Sequence, residues 1–520
     1  MPDLLNLFDN LRANFFRYYD TPFGLAEPLL EKERKELLDQ DGVTWREPWI
    51  EVLRDYSSST ETLEQLCGRI GAPADLSSFA RAGLLPASEI PSLYVHQEEA
   101  LEVALEGKSF VITAGTGSGK TEAFLLPVIA SLLEESAGWT GTSPVGECWW
   151  QGTHPFAPQR AGETGRSPAV RALVLYPMNA LVEDQLVRLR RALDGPTVRE
   201  WLDSHRGGHR FYFGRYTGLT PVPGSVGNSS ALANLRRYLG TTEARASKAQ
   251  ADDEAAGEGR KRYFVPSLDG AEMRSRWDMQ AHPPDILITN YSMLNIMMLR
   301  PRDARFFEAT RRWLEEDSSH VFTLIVDELH MYRGTQGTEV SYLIRSLLDR
   351  LGLRNRPDQA RFVAASASLE AGRDEEFLEG FFAAPSARFA VVTGKHAEVP
   401  GHSGDLQSLA AEFTGWHRAG SPPPDVDQRL DSYAVKSALH DASIKNGDSS
   451  ALSLTELGRR LFPKEDATGQ RVALGGLLSA MSASGDAKLP RLRAHLFFRN
   501  VQGLWSVSYT HLTLPTKRIV

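Results

Sequence analysis

Apolar positions in the first part of the chain recur at helical spacing. Leu29, Leu30, Leu37 and Leu38 share one side of a charged segment, and Asp41-Gly42 ends that segment with a turn. Residues 1–90 therefore predict an α-rich accessory region, closed by Pro86 and Pro91. From Leu93 the period changes. Phe110–Thr113, Ala172–Leu175, Asp285–Ile288, Thr323–Val326 and Arg361–Ala365 are short apolar runs of strand length, and helical patterns such as Leu181, Leu186 and Leu189 lie between them. Short buried strands alternating with helices predict an α/β unit over 91–398, with a parallel sheet flanked by helices.

Two stretches interrupt the alternation, at about 137–168 and 222–282. The first is rich in Gly, Pro and Thr and contains an exposed-looking Cys148-Trp149-Trp150. The second includes the charged, low-complexity run Ser247–Arg262, expected to be a mobile insertion. Beyond 399, Pro422-Pro423-Pro424 reads as a linker, and Leu452–Leu461 and Val472–Met481 as short helices of a small helical region reaching 508. Tyr509–Val520 does not continue the pattern. It resembles translated sequencing-adapter read-through, so the natural chain is expected to continue further.

Composition narrows the class. The 520 residues are 42% hydrophobic and 24% charged, as in an ordinary globular protein. No apolar run reaches the roughly 20 residues of a membrane span, and Met1–Asn10 lacks the basic start of a signal peptide. Cys67 and Cys148 alone make neither a disulfide framework nor a four-cysteine zinc site. A cytoplasmic protein without a membrane partner is expected. A net charge of −8 means that any nucleic acid is held in a local basic groove, against an unfavourable global field.

The chemistry begins after the first predicted strand. Ala114-Gly115-Thr116-Gly117-Ser118-Gly119-Lys120-Thr121 joins that strand to a helix, the context a phosphate-binding loop requires. Gly115, Gly117 and Gly119 let the backbone bend, so that the N–H groups of Gly115, Thr116, Gly117, Ser118 and Gly119 can face phosphate oxygens at the head of a helix dipole. Lys120 can neutralise the β- and γ-phosphates, and the Thr121 hydroxyl can ligate Mg²⁺. Ala114 stands where the strict motif has Gly. Downstream, the strand Thr323–Val326 ends in Asp327-Glu328-Leu329-His330. A carboxylate there can reach a metal ion held by Thr121, a role that falls to Asp327. Glu328 can orient and deprotonate an attacking water.

These motifs, with Ser366-Ala367-Ser368 after them, resemble DEAD/DEAH-type superfamily 2 helicases. The resemblance implies a RecA-like P-loop NTPase lobe that uses ATP and Mg²⁺. Gln97, shortly before the loop, matches the position that reads the adenine edge in that family. Pro177 and Asn179, with Gln185 after them, resemble one strand-holding element, Thr217-Gly218 a second and Thr289-Asn290 a third. Such loops hold the sugar–phosphate backbone of one tracked strand without regard to sequence. His330, Ser366 and Ser368 lie where the family couples nucleotide state to strand grip. Tyr18–Phe23, Trp45–Glu51 and Leu492–Arg499 further resemble the large bacterial YprA-like group, which includes relatives acting in DNA repair and phage defence. DNA is therefore the expected substrate, with protein partners of such a system.

The chain departs from the family in one respect. The second motor lobe's arginine-finger helix has no match after Ser368, so the resemblance implies that this stretch alone hydrolyses ATP poorly. Two other readings stand beside the DNA helicase: an RNA helicase, and an ATP-gated, non-hydrolysing scaffold subunit that binds nucleic acid.

Overall fold

The computed structural model describes residues 4–499 except 87–89, 91, 116, 178, 223, 258, 367–368, 370–372, 399–404, 446–447 and 487. Thr116, Ser368 and the 509–520 tail lie outside them, as do the side chains of 179–181. The chain forms two compact units, one of residues 1–55 with 396 onward and the other of Tyr56–Lys395. No described helix is long and apolar enough to cross a membrane.

The first unit corrects the division made at residues 90 and 398. Strand β1 (Trp45–Leu53) pairs antiparallel with Arg491–Phe498, placing Trp49 opposite His495 and Glu51 opposite Arg493, and also with Leu452–Ser453. Its core joins Leu5, Ile50 and Val52 to Phe413, Leu457 and Leu474, which come from both ends of the sequence. Local periodicity cannot reveal a strand whose partner lies more than 400 residues away, so the region read as helical contains the central strand of a three-stranded sheet. The helices Leu63–Ile70 and Leu76–Ala82 belong to the second unit, where Leu63, Leu66, Leu76 and Phe79 join the main core.

The second unit carries seven strands: β2 (Ser109–Thr113), β3 (Ala172–Tyr176), β4 (Phe213–Arg215), β5 (Ile286–Asn290), β6 (Phe322–Val326), β7 (Ala360–Ser366) and β8 (Phe389–Thr393). They form one sheet in the order β4-β5-β3-β6-β7-β2-β8, parallel throughout. β2, β3 and β6 are buried along nearly their whole length because helices cover both faces. The helix Lys120–Ser136 is apolar on almost every side and is buried accordingly. This is the RecA-like α/β architecture, and it brings the loops that follow every strand to one edge of the sheet.

The two interruptions are not loose. The run expected to be mobile is largely helical. Ser229–Ala256 is one helix, capped by the Asn228 side chain on the Ala231 N–H and anchored by buried Leu235 and Leu239. Asp253, near its end, accepts the N–H groups of Lys261 and Arg262. Trp149 and Trp150, in a stretch that looked exposed, are buried with Leu235, Leu239, Leu268 and Trp277 in a core separate from the main one. Charge and small residues along the run suggested a solvated segment; the run continues a helix whose earlier residues Leu235 and Leu239 pack against the other interruption, a contact invisible to either stretch alone.

Candidate nucleotide and nucleic-acid site

β2 ends and the phosphate loop begins at Ala114. Gly117 and Gly119 take φ of 79° and 72°, a region that favours glycine because it has no Cβ. At Gly119 a Cβ would also lie 2.2 Å from Gln97 Nε2. Three side chains hold the loop from behind. The Tyr56 hydroxyl accepts the Gly115 N–H at 2.9 Å, His96 Nε2–H donates to the Ser118 carbonyl at 2.8 Å, and Gln97 Nε2 donates to the Gly119 carbonyl at 3.0 Å. Tyr56 packs edge-on against His96, and Tyr94 stacks on the same ring. Sequence reasoning missed Tyr56, which carries no motif, and paired His96 with Gln97 without assigning it this contact. For Gln97 the geometry differs from expectation. The residue is buried, and its amide oxygen accepts the Tyr94 N–H at 2.9 Å, so both ends of the amide are engaged with the protein and brace the loop.

At the head of the following helix the Lys120 ammonium is buried and has no hydrogen-bond partner among the described residues. A buried cation without a partner is costly, and a bent glycine loop beside it is a cradle for anionic oxygens. Thr121 is buried one position on.

Asp327 and Glu328 follow β6, separated from β2 by β7 alone. Asp327 is buried, and that burial, with the Glu328 charge beside it, pushes its carboxyl up to about 6, although the Glu328 N–H bond and the Lys120 and His330 charges oppose the rise. Glu328 sits at φ 50°, a strained conformation for a residue with a side chain. Its N–H donates to Asp327 Oδ1 at 2.9 Å, and its carboxylate lies 3.3 Å from His330 Nδ1. A buried carboxylate whose charge is disfavoured, with a lysine acting on it, fits a site that takes a cation. Among the described residues no three His, Cys, Asp or Glu side chains cluster as a self-sufficient metal site. That suits Mg²⁺, which is usually held by one or two carboxylates together with phosphates and water.

The strand-holding positions lie after β3, β4 and β5, neighbours on the same edge of the sheet. Several differ from what the motifs suggested. The Thr289 hydroxyl donates to the Tyr216 carbonyl at 2.7 Å, and Thr217 is buried, its hydroxyl accepting the Leu219 N–H at 3.3 Å. The Asn290 side chain caps the helix Tyr291–Leu299 by accepting the Met293 N–H. These side chains shape the loops and have their partners already. The surface of this row is made by Gly218, Leu219 and the head of the helix at Tyr291-Ser292. Pro177 is half-buried where β3 runs into the helix Asn179–Asp194, which also carries Gln185. Ser366 is buried at the end of β7.

Residues 94–210 match the family model described as DEAD/DEAH box helicase. This stretch of the second unit is similar to the DEAD/DEAH box helicases. Across 96% of its length the chain is similar to the Druantia protein DruE of Escherichia coli (strain UMEA 4076-1), at 29% identity over 583 aligned residues. It spans 30% of that relative's length. A shorter similarity, 34% over 93 residues, covers 16% of the chain and 11% of the ATP-dependent RNA helicase dbp4 of Sclerotinia sclerotiorum. Among solved structures, the DUF1998 helicase MrfA bound to DNA is similar at 18% identity and a TM-score of 0.37, over 74% of this chain and 40% of that one. Its complex with DNA and AMPPNP gives 17% and 0.37, over 74% and 38%.

Proposed function

We propose that this superfamily 2 helicase lobe binds ATP and, together with a second motor lobe, hydrolyses it to move a single DNA strand along its loop row. The observation that carries the reading is the buried, unpartnered Lys120 ammonium, at the head of a helix and on the same sheet edge as Asp327-Glu328. The backbone N–H groups of Gly117, Ser118 and Gly119 receive phosphate oxygens, and Lys120 neutralises the β- and γ-phosphates. Thr121 and Asp327 are the residues to hold Mg²⁺, which when bound screens the phosphate charge. Glu328, held out of the usual backbone region, orients the attacking water and takes its proton. His330, in reach of Glu328, and Ser366, at the end of β7, are the groups to pass the nucleotide state to the strand-holding loops. With Thr217 and Thr289 buried and the Asn290 side chain capping a helix, the strand is held by backbone N–H groups and helix N-termini, which read no base.

DNA is favoured over RNA because the segments Trp45–Glu51 and Leu492–Arg499 resemble a group with relatives in DNA repair and phage defence, whereas the likeness to the RNA helicase dbp4 covers 16% of the chain. Phosphate release by a longer chain that carries both motor lobes, measured with no nucleic acid, single-stranded DNA, duplex DNA or RNA, tests the reading, with Glu328→Gln as control. Stimulation by DNA that disappears in Glu328→Gln is expected. Equal stimulation by RNA would assign an RNA helicase instead. Nucleotide binding without turnover under every condition would assign an ATP-gated scaffold.

A further inference from the structure

We infer that the two insertions add a base-stacking subsite to the end of the strand-holding row, formed between the loop after β4 and the first turns of the helix Ser229–Ala256. The inference rests on the reading of this lobe as a nucleic-acid motor. It concerns a part of the chain that the motor motifs leave unused.

β4 is the edge strand, so the loop after it is the last in the row. Its base is fixed from inside: Arg276 donates to the Thr217 carbonyl at 2.6 Å, and Thr220 Oγ1 accepts the Thr217 N–H at 2.9 Å. Its tip is not covered, and Leu219 is 62% exposed. Beyond the tip, Val222 sits at φ 59°, a conformation that a β-branched side chain adopts only under constraint. Between tip and helix lies a cavity of about 460 Å³, with Leu219, Val222, Asn228, Asn234, Leu235 and Tyr238 among its lining. That volume is within the roughly 300–1,000 Å³ range of small-ligand sites. No carboxylate lines it, in a chain of net charge −8. Arg237, one residue from Tyr238, is exposed and donates to Asn234 Oδ1 at 3.3 Å.

The walls are preformed. Leu235 and Leu239 anchor the helix in the second core beside Trp149, Trp150 and Trp277. Trp277 Nε1 donates to the Gly224 carbonyl at 2.8 Å, and Trp150 Nε1 donates to Glu243 at 3.1 Å, tying loop and helix to that core. Against these walls Tyr238 presents a ring that is 43% exposed. An exposed aromatic face and an apolar tip, next to amide side chains and a cation and free of carboxylates, suit an unstacked nucleobase whose phosphate passes the arginine. The cavity continues directly from Gly218 and Leu219, so a strand leaving the row meets it first.

The test is single-strand binding by fluorescence anisotropy, with a non-hydrolysable ATP analogue and Mg²⁺, for the unaltered chain, Tyr238→Ala and Tyr238→Phe. Oligonucleotides are used intact and with one abasic position moved stepwise along the strand. Tyr238→Ala is expected to weaken binding roughly 5- to 100-fold, while Tyr238→Phe, which keeps the ring, stays near the unaltered value. At one abasic position the unaltered chain should bind as weakly as Tyr238→Ala, and the two losses should not add. Analogue binding should be the same in all three proteins. If the unaltered chain binds single strands and Tyr238→Ala binds equally well, the subsite is wrong and the motor reading stands. If the unaltered chain binds no single strand, the motor reading fails and this inference fails with it.

Discussion

The two ends of the seven-stranded sheet treat buried charge in opposite ways. At the amino end, just before β3 and β5, Arg171 pairs with Asp285 at 2.8 Å and Glu135 at 2.5 Å, and Arg166 pairs with Asp285 at 3.3 Å and Glu163 at 2.8 Å. Asp285 also accepts the Tyr212 N–H at 2.7 Å, and Trp139 lies under Arg166. Every one of these charged groups has partners, and the cluster ties the first insertion to the sheet. At the carboxyl end Lys120 has no partner, Asp327 is pushed away from its charged form, and Glu328 is strained. A protein that pairs these charges at one end leaves others open at the opposite end, where on the proposed reading a ligand supplies the missing partners. The open end gives up stability to do so.

This contrast can be broken most sharply at Asp285. Asp285→Ala would strand two buried arginines and is expected to cost about 3–5 kcal/mol in chemical unfolding followed by tryptophan fluorescence. A loss below about 1 kcal/mol would mean that the amino-end cluster is not the closed structure described.

The second prediction concerns acid. Burial alone would raise the Glu163 carboxyl, but Arg160 and Arg166, with the Ser143 hydroxyl, hold it down at about 2 against an ordinary 4.5. A depressed carboxyl stabilises the fold above its unfolded-state value, and this contribution is lost as pH falls from about 4.5 to about 2. It amounts to about 3 kcal/mol at neutral pH. Relative to the unaltered chain, Glu163→Gln should flatten the fall in stability across that window. Parallel curves for the two proteins would contradict it.

The smallest effect has the opposite sign. Asp327→Asn removes a charge that burial and Glu328 disfavour, so the ligand-free protein is expected to gain about 1–2 kcal/mol while losing Mg²⁺-dependent nucleotide binding. A loss of stability like that of Asp285→Ala would erase the distinction between the two ends.

The sequence made the open end legible and left the closed end dark. Gly115–Thr121 and Asp327–His330 are contiguous motifs whose chemistry is carried by residue type and order, so their placement at the ends of β2 and β6 could be anticipated. Tyr56, His96, Arg166 and Asp285 act through contacts between distant segments, which no local pattern encodes. Thr217 and Thr289 show the reverse error. Their hydroxyls looked available for a phosphate backbone, but each was already bonded within its own fold. Trp149 and Trp150 looked exposed because their burial depends on a helix about 80 residues later.

The measurement that bears most directly on the central claim is the affinity of ATP with Mg²⁺, by isothermal titration, for the unaltered chain and Lys120→Ala. If the buried ammonium awaits phosphate oxygens, the unaltered chain binds and Lys120→Ala binds at least about tenfold more weakly with its fold intact. Equal affinity in the two proteins would contradict the claim, and the open end of the sheet would need another ligand.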